Sequence, residues 1–135
     1  MGKLELTREE DMLLKSILAS LSSRARYEIT LADLLTKWDR FVTALEQVYD
    51  DSIYEFTNDL SVRDLLEEIM VHSPKGLRAK LSKEVKDVDD RFLAVTKPSN
   101  RSILKSEQPQ WWWFRIPIES GSELESDLRA EGLIR

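Results

Sequence analysis

Three consecutive tryptophans followed by a phenylalanine, Trp111 to Phe114, constrain the fold of this chain more than any other feature. Neighbouring side chains diverge on a helix and alternate on a strand, so four adjacent large aromatic residues cannot all enter one core face. The run lies between Pro109 and Pro117 and follows a stretch without a helical pattern. Part of it is therefore expected to stay near the surface or to lie under another chain.

An extended conformation would divide this run between two faces, because side chains alternate along a strand. The face expected to enter the core carries Trp112, Phe114, Ile116 and Ile118. The face expected to point outward carries Trp111, Trp113 and Arg115. Tryptophan and arginine are enriched at binding hot spots, so the outward face is the predicted anchor for a protein partner or for self-association. A shift of one residue in register would exchange the two faces.

Apolar residues recur at helical spacing through most of the chain before this run. The first predicted helix extends from Thr7 to about Ser22, and Thr7 with Glu10 matches a capping box. A second helix is predicted from Thr30 to about Tyr49, where the apolar spacing is most regular. The apolar stripe predicted for the first helix is Leu13, Leu14, Ile17, Leu18 and Leu21.

The next part of the chain is predicted to form two separate helical pieces. Residues 52–56 resemble one short capped turn, and residues 61–72 carry the apolar spacing of a longer helix. Asn58 and Asp59 have low helix propensity and are expected to interrupt the helix between the two pieces.

A last long helix is predicted to begin with Ser73 as N-cap and Pro74 as its first helical residue. Its narrow apolar seam continues to Val95 and suits antiparallel packing in a bundle. The following polar segment, residues 97–110, is predicted to be a loop or one arm of a hairpin.

The C-terminal part is predicted to combine a hairpin with a short tail helix. Residues 102–104 are expected to pair with residues 111–118 across a turn near Gln108-Pro109. Ser122 is the expected N-cap of the tail helix, which should end near Gly132.

These elements predict a mainly α fold, an up-down bundle of four to five helices with a C-terminal extended or hairpin aromatic segment packed across it. The length of 135 residues suits a single domain over 1–135. The helical core is expected over about 6–96, and the aromatic segment with the tail helix over 97–135.

The composition limits the classes of function. The net charge of -5 makes nucleic-acid binding an unfavourable expectation. Residues 1–72 hold 8 basic and 15 acidic side chains, whereas residues 73–135 hold 12 and 10. Cysteine is absent, which suits a reducing compartment. With no signal-peptide pattern and no apolar run of about 20 residues, we expect a cytoplasmic protein without a membrane partner.

Catalytic chemistry finds little support in the residue types. The only histidine, His72, is expected at a helix C-terminus, where a partly protonated imidazole complements exposed carbonyl groups. Asp87 and Asp90 are the nearest match to the paired acids that hold magnesium in all-α hydrolases. Helical spacing directs both away from the apolar seam. No metal site and no cofactor are therefore expected, and a metal-dependent all-α hydrolase remains the alternative.

Two further groups of residues are candidates for binding. Asp39, Glu46 and Asp50 are spaced to form an acidic ridge on one flank of the second helix, suited to docking a basic protein. A third hypothesis, single-strand nucleic-acid binding, uses cations next to aromatic rings that stack bases. The residues of that third hypothesis are Arg101, Lys105, Trp111, Trp113 and Arg115.

The function that the sequence favours is a small acidic cytosolic protein-interaction module without catalytic activity. Inhibitors, immunity-like proteins and adaptors share this composition. The predicted mechanism is surface binding, with Trp111, Trp113 and Arg115 as anchors and the acidic ridge steering the partner.

Overall fold

A computed structural model describes residues 4–104 and 110–134 of the protein. The helices in these ranges are α1 (Arg8–Ala25), α2 (Leu31–Glu46), α3 (Ile53–Val71), α4 (Lys75–Val95) and α5 (Ser122–Ala130). The strands are β1 (Thr96–Pro98) and β2 (Arg115–Pro117). A single 3₁₀ turn, Trp111–Phe114, precedes β2, and we call it the aromatic turn.

Helices α2, α3 and α4 follow one another through short connections and pack together around the centre of the core. Trp38 of α2 meets Phe92 of α4 with ring centroids 5.2 Å apart, and Phe41 meets Phe56 of α3 at 5.3 Å. Tilted and edge-to-face pairs of this kind are favourable arrangements of aromatic rings. The predicted mainly α bundle with an aromatic segment packed across it is confirmed.

The start of α1 confirms the predicted capping box. The Glu10 amide donates to the Thr7 hydroxyl at 3.1 Å, and the Thr7 amide donates to the Glu10 carboxylate at 2.9 Å. Each side chain thus satisfies an amide that has no partner inside the helix. The predicted apolar stripe is wrong at Leu13, which is exposed, because α1 contacts the bundle along a narrower line of Leu14, Ile17, Leu18 and Leu21.

Helix α3 is continuous, so the predicted interruption at Asn58 and Asp59 is wrong. Packing overrides the low helix propensity of these residues, because Phe56 and Leu60 on either side are both fully buried. Asp59 also accepts a hydrogen bond of 2.8 Å from the Tyr49 hydroxyl. Burial raises the pKa of both the Tyr49 phenol and the Asp59 carboxyl.

Two predicted helix ends differ from the structure. Helix α2 ends at Glu46 rather than at Tyr49, because Val48 adopts a left-handed φ of 81° that reverses the chain and returns Tyr49 to the core. Pro74, not Ser73, is the N-cap of α4. The buried Ser73 hydroxyl instead donates to the Ile69 carbonyl at the end of α3, at 2.7 Å.

The C-terminal hairpin forms in a different register from the predicted one. Strand β1 pairs antiparallel with β2, and Lys97 lies opposite Ile116. Residues 102–104 contribute a single backbone bond, from the Ile103 amide to the Trp113 carbonyl at 2.9 Å. The predicted turn at Gln108-Pro109 lies outside the described residues.

A carboxylate of α5 caps the start of α3, and a carboxylate just before α3 caps the start of α5. The Ile53 amide at the start of α3 donates to Asp127 of α5 at 2.9 Å, and the Glu123 amide of α5 donates to Asp50 at 3.4 Å. A carboxylate near a helix N-terminus also interacts favourably with the helix dipole. Asp50 therefore replaces the predicted cap of α5, and Gly121, not Ser122, is the N-cap residue.

Glycine substitutions test this reciprocal capping. A Cβ at Gly121 would collide with the side chain of Asp50, so Gly121→Ala should lower the free energy of unfolding by about 1–3 kcal/mol. Gly76→Ala is the matched control, because a Cβ there meets only Glu10, at 3.4 Å. That change should stabilise α4 by up to about 1 kcal/mol. Urea denaturation measures both, and equal effects would contradict the capping contact.

Candidate functional site

The aromatic turn distributes its four rings differently from a strand. A 3₁₀ helix has three residues per turn, so Trp111 and Phe114 lie on the same side. They are 40% and 37% exposed, whereas Trp112 and Trp113 are 1% and 2% exposed. The predicted outward position of Trp113 and the predicted core position of Phe114 are therefore wrong. Ile118, also predicted to enter the core, is exposed.

Both buried indoles of the turn are held by one carboxylate. The Nε1–H groups of Trp112 and Trp113 donate to the same oxygen of Asp64 on α3, at 2.8 Å and 2.9 Å. A buried indole N–H needs an acceptor, and Asp64 satisfies two of them at once. The aromatic turn is thereby fixed to α3 with Trp111 left on the outside.

Arg63, one residue before Asp64, is the central buried cation of the protein at 5% exposure. Its Nε and Nη2 atoms donate to the two oxygens of Asp89 on α4, both at 2.9 Å, and Nη1 donates to Glu67 at 3.0 Å. Its guanidinium lies 4.3 Å from the centre of the Trp112 ring, a favourable cation–π distance. Asp89 also accepts the indole N–H of Trp38 at 3.0 Å.

We call the residues joined by these contacts the Arg63 network: Trp38, Arg63, Asp64, Glu67, Asp89, Trp112 and Trp113. The network connects α2, α3, α4 and the aromatic turn. The sequence patterns did not predict it. The available signal was a charged residue on the buried stripe of α3, since Arg63 follows Phe56 and Leu60 at helical spacing.

Arg115, the predicted polar anchor, is bound within the fold. Its Nε donates to the Thr96 hydroxyl at 2.8 Å, and its Nη2 donates to the Thr96 carbonyl at 2.8 Å and to the Leu93 carbonyl at 3.3 Å. These bonds satisfy carbonyl groups at the end of α4. Arg101 likewise donates to the carbonyls of Ser102 and Glu131, at 2.8 Å and 2.6 Å.

The basic and aromatic set of the nucleic-acid hypothesis is thus not brought together on one open surface. Trp113 is buried, and both arginines donate to backbone carbonyl groups. Lys105, the remaining cation of that set, lies outside the described residues.

The predicted acidic ridge does not form as a single surface. Arg91 of α4 binds Asp39 at 2.6 Å and Glu46 at 2.7 Å, so it links α4 to α2. Asp50 lies beyond the end of α2 and faces the start of α5. The hydrogen bond from Arg91 holds the pKa of the Glu46 carboxyl below its usual value.

The acidic pair of the hydrolase hypothesis lies on the exposed side of α4. Asp90 is bound by Lys86 at 2.6 Å, and Asp87 is exposed on the same helix. Within residues 4–104 and 110–134, no three histidine, aspartate or glutamate side chains are grouped so that they could hold a metal ion.

The Arg63 network reaches solvent in a cleft of about 560 Å³ between two helices, which we call the α3–α4 groove. Arg63 and Asp89 are the most buried charged residues of its lining. Side chains along the groove include Met70, Val71, Arg78, Lys86, Leu93 and Trp111. The groove therefore combines a fixed polar floor with apolar walls and one outward tryptophan.

Two other clefts are lined by fewer residues suited to binding a partner. A cleft of about 830 Å³ lies between the hairpin and α5 and is lined by two cations, Lys97 and Arg129, of which Arg129 is paired with Glu125 at 3.0 Å. A cleft of about 460 Å³ lies between α2 and α3, beside Arg40 and Asp59. Neither is lined by a member of the Arg63 network or by an exposed tryptophan, so the α3–α4 groove is the candidate site.

Comparison of the chain with protein-family models, with curated proteins and with solved structures finds no match. None of the helices in the described part of the chain is long and apolar enough to cross a membrane.

Removing the buried cation should strongly destabilise the protein. Arg63→Met leaves Asp89 and Glu67 without their counter-charge, so we expect a loss of about 3–5 kcal/mol in the free energy of unfolding. Arg91→Met is the matched control, because Arg91 also binds two carboxylates but is partly exposed. The control should lose about 1 kcal/mol or less by urea denaturation. Equal losses would contradict the central role of Arg63.

The Arg91–Glu46 pair should make stability depend on acid pH. Because the carboxylate is favoured in the folded state, the unfolded chain takes up the proton first as the pH falls. The stability that the pair contributes is present above the ordinary carboxyl pKa of 4.5 and is lost as the pH falls below it. Urea denaturation at several pH values should therefore show a shallower acid loss for Glu46→Gln than for the wild type. Parallel curves would argue against this linkage.

Proposed function

We propose that this protein is a small acidic cytosolic protein-interaction module without catalytic activity, and that it binds a protein partner across the α3–α4 groove with Trp111 as anchor. The observation that carries the proposal is the position of Trp111. Its ring is 40% exposed, yet it packs 5.9 Å from Phe92 and 5.4 Å from Trp112, measured between centroids. Tryptophan is among the residues most enriched at binding hot spots.

The residues that hold Trp111 in place favour a binding role for this side chain. Its neighbours Trp112 and Trp113 are fixed by Asp64, and Trp112 also stacks under Arg63. A side chain that is already held in place loses little conformational freedom when a partner arrives. The anchor is therefore pre-organised.

Apolar surface continues from Trp111 along the groove. Leu93 of α4 and Val71 of α3 are both exposed and both line it. Single exposed apolar residues are common, but several that line one cleft beside charged groups are typical of an interaction site. The apolar surface is bordered by Glu67, Lys86 and Asp90, which suit the polar rim of an interface.

The residues first expected to contact a partner have supporting roles in this proposal. Trp113 and Arg115 hold the aromatic turn and the hairpin, and the Asp39 and Glu46 carboxylates hold α4 through Arg91. The net charge of -5 still steers an approaching partner at long range. The proposed cytosolic setting is compatible with a chain that has no cysteine. Inhibitor, immunity-like and adaptor roles all fit such a module.

The proposal is tested by affinity capture with quantitative mass spectrometry on immobilised wild-type protein and variants. A partner retained by the wild type should bind Trp111→Ala at least about tenfold more weakly, because the anchor is lost. Tyr54→Ala is the matched control, since Tyr54 is a more exposed aromatic residue on α3 outside the groove. Its capture of the same partner should equal that of the wild type.

Circular dichroism of each variant checks that the fold is intact. Capture that is unaffected by Trp111→Ala would refute the anchor. Thermal stabilisation by magnesium that is abolished by Asp87→Asn would support the hydrolase alternative instead.

A further inference from the structure

The charges that line the α3–α4 groove are unevenly distributed, and one cation without a carboxylate partner lies at one end. Its three lining carboxylates are each bound by a cation: Glu67 at 3.0 Å and Asp89 at 2.9 Å by Arg63, and Asp90 at 2.6 Å by Lys86. Lys86 balances the charge of Asp90, whereas the single charge of Arg63 balances only one of its two carboxylates, so one unit of negative charge remains in the middle of the groove.

Arg78 differs from Arg63 and Lys86, because it is bound by carbonyl oxygens alone. Arg115 also donates to carbonyl groups, but it is partly buried, whereas Arg78 is exposed and lines the groove. The Nε of Arg78 donates to the Met70 carbonyl at 2.9 Å, and its Nη2 donates to the Val71 and Ser73 carbonyls at 3.2 Å and 3.1 Å. No carboxylate among residues 4–104 and 110–134 forms an ion pair with it. The partial negative charge at the end of α3 offsets only about half of a unit charge. Arg78 thus presents a fixed, net positive group to the groove.

The apolar anchor lies at the opposite end of the same groove. Leu93, beside Trp111, is fifteen residues after Arg78 on α4, which corresponds to roughly 22 Å along a helix. A cleft of about 560 Å³ that is lined over that length is an elongated channel. A compact metabolite would reach one end of the channel, whereas a polypeptide segment reaches both.

The walls of the groove determine which kind of polypeptide segment fits. Both walls are helices, whose backbone groups are already paired inside the helix, so an extended peptide finds no strand edge to pair with. A helix instead places one row of side chains between the rows of its neighbours. Helix-in-groove docking is therefore the compatible mode.

We propose that the occupant of the α3–α4 groove is an amphipathic helix of a partner protein, about four turns long. It carries a carboxylate at the Arg78 end and a large apolar residue at the Trp111 end. This inference rests on the proposed function, because it requires a protein partner in that groove. It adds the chemistry that selects the partner, since a helix with a basic residue at the Arg78 end is repelled.

The test uses a displayed library of helical peptides of about 20 residues with randomised surface positions, selected on the wild-type protein. Selected peptides should carry Asp or Glu about four turns from a large apolar residue. Arg78→Gln should raise the Kd of a selected synthetic peptide by roughly ten- to a hundredfold, as expected for loss of a charge-assisted hydrogen bond. Lys75→Gln is the control, an exposed cation of α4 outside the groove, and should leave the Kd unchanged.

A matched change in the peptide makes the result independent of the folding of Arg78→Gln. Replacing the selected acid by Gln or Asn should weaken binding to the wild type by the same factor, with no further loss on Arg78→Gln. Peptides that require Trp111 but show no acidic preference would overturn this inference and leave the proposed function standing. Peptides that bind Trp111→Ala as well as the wild type, or no enrichment at all, would overturn both.

Discussion

The buried guanidinium of Arg63 is the interaction on which the rest of this structure depends. Taking a cation out of water is costly unless its donors and its charge are matched inside the protein. Here Asp89 supplies a two-point partner from α4, Glu67 a third acceptor from α3, and the face of Trp112 covers the group. Asp89 belongs to α4 and Trp112 to the aromatic turn. Pairing the one buried charge of Arg63 therefore fixes α3, α4 and the aromatic turn relative to one another.

The same network decides which tryptophan meets solvent. Asp64 accepts both buried indole groups, which orients the aromatic turn so that Trp111 lies outside, over Phe92. The α3–α4 groove then extends from the Arg78 end to Trp111. Stability and binding are coupled here, because the residues that stabilise the core also position the surface proposed to bind a partner.

Sequence signals predicted the structure correctly where they act within a few residues. The capping box of Thr7 and Glu10 and the apolar face of α2 are such signals, and both appear in the structure. Signals that depend on distant contacts were misread. Asn58 and Asp59 remain helical because their neighbours are buried, and α2 ends early because Tyr49 is drawn into the core. The sequence patterns predicted the candidate site only in part. They indicated Trp111, but they placed Trp113 on the wrong side, and they did not predict the roles of Arg63 and Arg78.

The amino-acid sequence by itself determined the helical character of the chain, the starts of α1, α2 and α3, and the requirement that the four aromatic residues of the turn divide between core and surface. These follow from propensity, spacing and side-chain size, which are local properties. Tertiary structure alone decided that division, the register of β1 with β2, and the meeting of Arg63 with Asp89. The reason is physical: a buried polar group must find its partner in three dimensions, and that partner can lie far along the chain.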